Sequence, residues 1–177
     1  LMLQHRGQDA AGISVCNNDD QLNSRKSMGY VRDVFQQRHM DKLEGNYGIG
    51  HVRYPTAGGA GKEFAQPMYV NSPYGISLAH NGNLTNSKQL GTQLFHAEMR
   101  HLRTDSDSEV LLNIFAHELG KQREIYPSEK NIFKAVSKTH IRCDGAYAVI
   151  ALINGYGLVA FRDNNGIRPL SIGVRQG

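Results

Sequence analysis

The chain has 177 residues, 40% hydrophobic and 20% charged, the proportions of an ordinary folded domain rather than of a disordered or membrane-embedded one. A formal charge of +4 and a pI of about 9.1 would suit an anionic partner, but the Lys and Arg residues are scattered and show no aromatic interleaving, so nucleic acid is not an expected partner. Cys16 and Cys143 stand far apart and in no CxxC spacing, which excludes a disulfide framework and a zinc cluster of that pattern.

At the start, Leu1-Met2-Leu3-Gln4 reads as the last turn of a helix ended by Gly7, which implies a segment upstream. Short apolar runs bounded by Gly and polar residues predict strands at Ala11 to Val15, Tyr47 to Val52 and Ile76 to Ala79. Three helices follow. Asn86 and Gln89 suggest a capping box ahead of Leu90, Leu94 and Ala97, and Ser106 and Glu109 repeat it before Val110, Leu111, Ile114, Phe115 and Leu119, with Gly120 as a stop. Ser128 opens the third, with Ile132, Phe133 and Val136 as its buried stripe. Strands then return at Ala146 to Ile153 and Gly157 to Phe161, joined by the hairpin signal Asn154-Gly155. A tight turn at Asp163 to Gly166 leads into a further expected strand, Pro169 to Ile172.

Strands, then helices, then a strand meander predict an α+β domain with helices packed on mostly antiparallel sheets. No apolar stretch is long enough to span a bilayer and residues 1–7 lack a signal peptide's layout, so no membrane association and a cytoplasmic location are expected.

Several polar segments stand at the ends of these elements, where rigid structure can aim side chains. Arg53, leaving a strand, can grip a carboxylate with its planar fork or simply lie over apolar neighbours. Asp107, in a first helical turn, can hold an ammonium group or serve only the helix. Asn81-Gly82 can offer a side-chain amide and an unobstructed backbone N–H to an oxyanion, or form a plain turn. Asp105, Asp107 and Glu109 superficially suggest a metal cluster, but capping explains two of them, and no metal site is expected.

Five ordered blocks, Leu3-Gln-His-Arg-Gly-Gln-Asp-Ala-Ala-Gly12, Gly50-His-Val-Arg-Tyr-Pro-Thr-Ala-Gly58, His80-Asn-Gly-Asn-Leu-Thr-Asn86, Thr104-Asp-Ser-Asp-Ser-Glu109 and Gly166-Ile-Arg-Pro-Leu170, together resemble the class II, N-terminal nucleophile glutamine amidotransferases almost end to end. Within that class the blocks are most similar to the branch joined to a phosphoribosyltransferase domain, rather than to the branches that make glucosamine 6-phosphate or asparagine.

The resemblance implies a four-layer αββα sandwich in which an N-terminal cysteine thiolate attacks the glutamine carboxamide, its own α-amine serves as base, and a thioester forms before water releases glutamate. Carried over by motif, Arg53 holds the glutamine α-carboxylate, Asp107 the α-ammonium and Thr56 assists, while Asn81 and Gly82 form the oxyanion hole and Arg6 and Tyr54 support the site. The glycine-rich stretch Gly58 to Gly61 would close over the substrate. It also implies glutamine as ligand, a phosphoribosyltransferase domain of the same parent chain as partner, a homo-oligomer, no cofactor for residues 1–177 and magnesium only in the parent's other domain. The expected Cys-Gly opening is absent, so residues 1–177 read as a glutaminase domain fragment that lacks its first strand, its nucleophile and the domain that follows. The other reading is a glutamine-binding or interaction module of the same fold that never catalyses.

Overall fold

The computed structural model describes residues 1–54 and 61–175. After a turn of 3-10 helix at Gln4–Arg6, the chain forms β1 (Ala10–Cys16), β2 (Leu22–Met28), the one-turn helices α1 (Val31–Val34) and α2 (Gln37–Met40), β3 (Tyr47–Arg53), β4 (Met68–Val70) and β5 (Ile76–Leu84). Three longer helices, α3 (Ser87–Glu98), α4 (Asp107–Gly120) and α5 (Glu129–Arg142), precede β6 (Gly145–Ile153) and β7 (Gly157–Arg162). The strands make two antiparallel sheets, ordered β2-β1-β3 and β4-β5-β6-β7.

Strand alternation sorts the side chains into layers. On one face of the larger sheet Ile76, Leu78, Tyr147, Val149 and Phe161 meet Leu90 and Leu94 of α3, Leu112, Phe115 and Leu119 of α4, and Ile132 and Val136 of α5 in one continuous apolar cluster. Each such burial contributes roughly 1.5–3 kcal/mol. The opposite face carries Ser77, Ala79 and Leu152 against the smaller sheet's Ser14, Cys16 and Ile49. Arg25, paired with Ile13 on the outer face of that smaller sheet, donates from Nε to the carbonyl of Val34 at 2.7 Å. This places α1 outside it, so the layers run helices, sheet, sheet and a thin outer helical layer. The αββα sandwich is the observed fold.

Several expectations need correction. The third strand runs on to Leu84, so Asn81-Gly82 lies within β5 rather than in a turn. Residues Pro169 to Ile172 form no strand, since no described strand pairs beyond β7. Neither capping box closes at α3 or α4. The Asn86 amide donates instead to the Arg142 carbonyl at 2.8 Å, and the Glu109 carboxylate accepts from the N–H groups of Arg103 and Thr104, while Ser106 does cap α4 through Ser108 N–H. Ala97 and Phe133 face solvent, and Ala135 and Thr139 take the buried places on α5. Helix α4 does end at Gly120, with Lys121 as its C-cap residue. The predicted cap at Ser128, the hairpin at Asn154-Gly155 and the turn at Asp163 to Gly166 all form.

Candidate active site

Strands β3 and β5 lie face to face and run the same way, for Ile49 packs with Ala79 and His51 Nε2 sits 3.2 Å from Asn81 Oδ1. β3 ends two residues past His51 and β5 three residues past Asn81, which brings Arg53 and the stretch Asn81 to Leu84 to one rim of the sandwich. The Arg53 guanidinium is buried, paired with the Asp9 carboxylate and laid over the Phe64 ring at 5.6 Å. Asp9 is held in turn by its own N–H, which donates to the Arg53 carbonyl at 3.0 Å. On the other side of the rim Asp107 opens α4, and its Oδ2 accepts from the Leu84 N–H at 3.0 Å. A carboxylate in a first helical turn is favoured by the helix dipole as well.

Between these charges the edge of β5 offers a donor. Tyr147, opposite Gly82 in the register, turns its N–H to Asp163 Oδ2 at 3.2 Å and its carbonyl to Asp163 N–H at 2.8 Å, away from β5. Gly82 therefore directs its own N–H to the opposite edge, as antiparallel alternation requires. Along that edge β4 covers only Ile76 to Leu78. The N–H of His80 is taken by Gln66 Oε1 at 2.7 Å and that of Leu84 by Asp107, and Gly82 N–H lies between the two. A side chain is sterically forbidden here: a Cβ on Gly82 would lie 2.0 Å from the Ala146 carbonyl oxygen, at a φ of +149°.

Two histidines flank Asn81 on opposite faces of β5. His51 is largely buried, and burial lowers its pKa to about 4, opposed by the hydrogen bond to Asn81, so the ring is neutral near pH 7. His80 lies on the helix side, with Nδ1 3.0 Å from Ser108 Oγ and 3.9 Å from Asp107 Oδ1. Its pKa is also lowered, chiefly by burial and against the pull of Asp107. Gln66 Nε2 donates to the same Ser108 hydroxyl at 3.1 Å. Sequence reasoning assigned nothing to Asp9, His51, Gln66 or Ser108. Period-two alternation from Arg53 points to His51, but nothing local marks Gln66.

The structure thus brings Arg53, Asn81, Gly82 and Asp107 to one rim. Arg6 and Tyr54 lie near it in the chain, but both are exposed, and neither side chain makes a hydrogen bond or ion pair with a described residue. Thr56 and residues 58–60 of the glycine-rich stretch lie outside the described residues. Both thiols are buried, and Cys143 lies two residues before Gly145, the partner of Leu84. Cys16 ends β1 six residues from Ala10, the partner of Arg53, which is roughly 20 Å along the strand. Cys143 follows α5, and burial pushes its thiol up to about 12, so it is unreactive. Two open clefts, of about 390 Å³ beside Lys121 and Lys138 and about 690 Å³ beside Arg25 and Lys42, are lined largely by cations and include none of the four rim residues.

Among known proteins, residues 59–177 match the family model described as glutamine amidotransferase domain. The chain is 62% identical over 174 residues to amidophosphoribosyltransferase of Pseudomonas aeruginosa, covering 98% of the chain and 34% of that relative. It is 49% identical over 176 residues to the amidophosphoribosyltransferase of Saccharomyces cerevisiae, covering 99% and 34%. The solved glutamine phosphoribosylpyrophosphate amidotransferase from B. subtilis, complexed with ADP and GMP, superposes with a TM-score of 0.79 at 35% identity, covering 98% of this chain and 35% of that one. The chain spans about a third of the length of the curated relatives it matches.

Proposed function

The chain belongs to the glutamine amidotransferase domain family, and from that premise we propose that it is the glutaminase domain of an amidophosphoribosyltransferase. It hydrolyses glutamine to glutamate and ammonia, and the parent enzyme adds the ammonia to phosphoribosyl diphosphate, giving 5-phosphoribosylamine for purine synthesis. Arg53 binds the substrate α-carboxylate and Asp107 its α-ammonium, with Thr56 assisting. Opposite charges at the two ends of a free amino acid give selectivity, because an analogue lacking either leaves a polar partner unmatched.

The observation that carries the reading is the Gly82 N–H, on a stretch of the β5 edge that no described strand covers, between two amides already engaged and beside the Asn81 carboxamide. When a thiolate attacks the amide carbon, the carbonyl oxygen takes up the electron pair, and these two donors stabilise it. Ammonia then leaves, and water converts the thioester to glutamate. With Cys16 at the far end of β1 and Cys143 a buried thiol whose pKa burial raises to about 12, the nucleophile is not one of these 177 residues. The chain alone is inactive, and its partner is the parent's phosphoribosyltransferase domain, which uses magnesium. This domain needs no cofactor of its own, and the parent is a cytoplasmic homo-oligomer.

The test is Asn81→Ala in the complete enzyme. Loss of one oxyanion donor lowers kcat for glutamine about 10²–10³-fold, while synthesis from added ammonia is unchanged. Unchanged glutamine turnover, or glutamate release at enzymatic rates by the 177-residue chain alone, overturns the reading. Absence of glutaminase activity in the complete protein would favour a non-catalytic glutamine-binding module.

A further inference from the structure

Asn81 can serve an oxyanion only if its carboxamide presents the NH2 group, and not its oxygen, to the substrate. Nothing in the side chain itself enforces this, since the two ends of an amide are nearly equal in size and exchange by a half-turn. The neighbour that can decide is His51. It stands two residues before Arg53 on β3, on the face that meets β5, and its Nε2 lies 3.2 Å from Asn81 Oδ1.

We propose that His51 is a positioning residue for the glutaminase reaction: as the Nε2–H tautomer it donates to Asn81 Oδ1 and so fixes the Asn81 NH2 toward the substrate. The proposal rests on the oxyanion role given to Asn81 above. With the proton on Nδ1 instead, the Nε2 lone pair would repel Oδ1, and the amide would turn to give its NH2 to the histidine, withdrawing the donor from the rim. The surroundings favour the productive tautomer. His51 Nδ1 is buried and has no hydrogen-bond partner among the described residues. A proton there would be a buried, unsatisfied donor, costlier than a bare lone pair. Burial also keeps the ring from protonating on both nitrogens near neutral pH.

The first test needs no turnover. Nitrogen-15 NMR of the imidazole rings in the complete enzyme should show His51 with Nε2 protonated and Nδ1 unprotonated at pH 7; the opposite tautomer overturns the proposal. The second uses the complete enzyme. His51→Phe keeps a ring but removes the donor, and should lower kcat for glutamine about tenfold to hundredfold with KM nearly constant, because the lost interaction exists only in the transition state. His51→Gln, whose amide reaches a similar point, should recover most of that loss, and His51→Phe should add little in an Asn81→Ala background. If Asn81→Ala is costly while His51→Phe leaves kcat unchanged, or the two losses multiply independently, the positioning role is wrong and the oxyanion reading survives. If Asn81→Ala itself is silent, the oxyanion reading is the one that fails. Should His51→Phe not fold, the His51→Gln kinetics and the tautomer decide.

Discussion

The two interior layers of this domain are built differently. Between the helices and the larger sheet, Phe115, Leu112, Leu119, Ile76, Leu78 and Tyr147 form a continuous apolar cluster of large side chains, all but inaccessible to water. Between the two sheets the apolar cluster shrinks to Cys16, Ile49, Ala79 and Leu152, with Leu22 and Tyr47 beside it, and the space is shared with a Ser14–Ser77 hydroxyl pair at 2.8 Å. A Cβ on Gly12 in that layer would lie 2.0 Å from the Gln66 carbonyl oxygen, so the backbones there approach too closely for large side chains. The first layer supplies stability. The second holds polar groups in fixed places and delivers Arg53, His51 and Asn81 to the rim, at a cost in apolar burial.

Changes to the two layers should therefore separate folding from chemistry. The largest stability effect belongs to the apolar layer: Phe115→Ala should lose about 3–5 kcal/mol in urea unfolding, without altering the substrate contacts of whatever enzyme remains folded. Next comes acid sensitivity from the polar layer. The folded pKa of His51 lies below its ordinary 6.5, so the fold favours the neutral ring. That contribution is fully present above pH 6.5 and is lost as the pH falls toward about 4. It amounts to up to roughly 3 kcal/mol, and urea titrations at pH 7 and pH 4.5 should find this component missing in His51→Phe. Smaller still, Ser14→Ala should cost about 1–2 kcal/mol by stranding the Ser77 hydroxyl, and Ser14→Ala with Ser77→Ala should cost less than the sum of the singles. At the low end, Ser128→Ala, which removes the exposed cap of α5, should cost about 1 kcal/mol or less by thermal unfolding. Equal effects of the serine and phenylalanine changes would break the contrast between the layers.

The apolar layer was readable in the sequence, because helical and strand periodicities mark the side chains that fill it. Ser106 and Ser128 announced two helix starts through local chemistry that the structure reproduces. The polar layer was less legible. Strand β2, Leu22-Asn-Ser-Arg-Lys-Ser-Met28, has no apolar alternation and owes its conformation to pairing with β1. Asn81-Gly82 carries a turn signal, yet Gly82 continues the strand because, lacking a Cβ, it can lie against Ala146. Arg53, Asn81, Gly82 and Asp107 were found through ordered motifs and not through propensity. Asp9 and His51 sat in those motifs without a role, since what they do depends on which strand packs opposite.

Whether one rim holds both ends of a free amino acid is decided by a crystal structure of the complete enzyme with bound glutamate. The prediction is an α-carboxylate about 3 Å from the Arg53 guanidinium, an α-ammonium at the same range from the Asp107 carboxylate, and a side-chain carboxyl oxygen facing Gly82 N–H and the Asn81 amide. A ligand seated elsewhere, with Arg53 and Asp107 on surfaces that share no cavity, would contradict it.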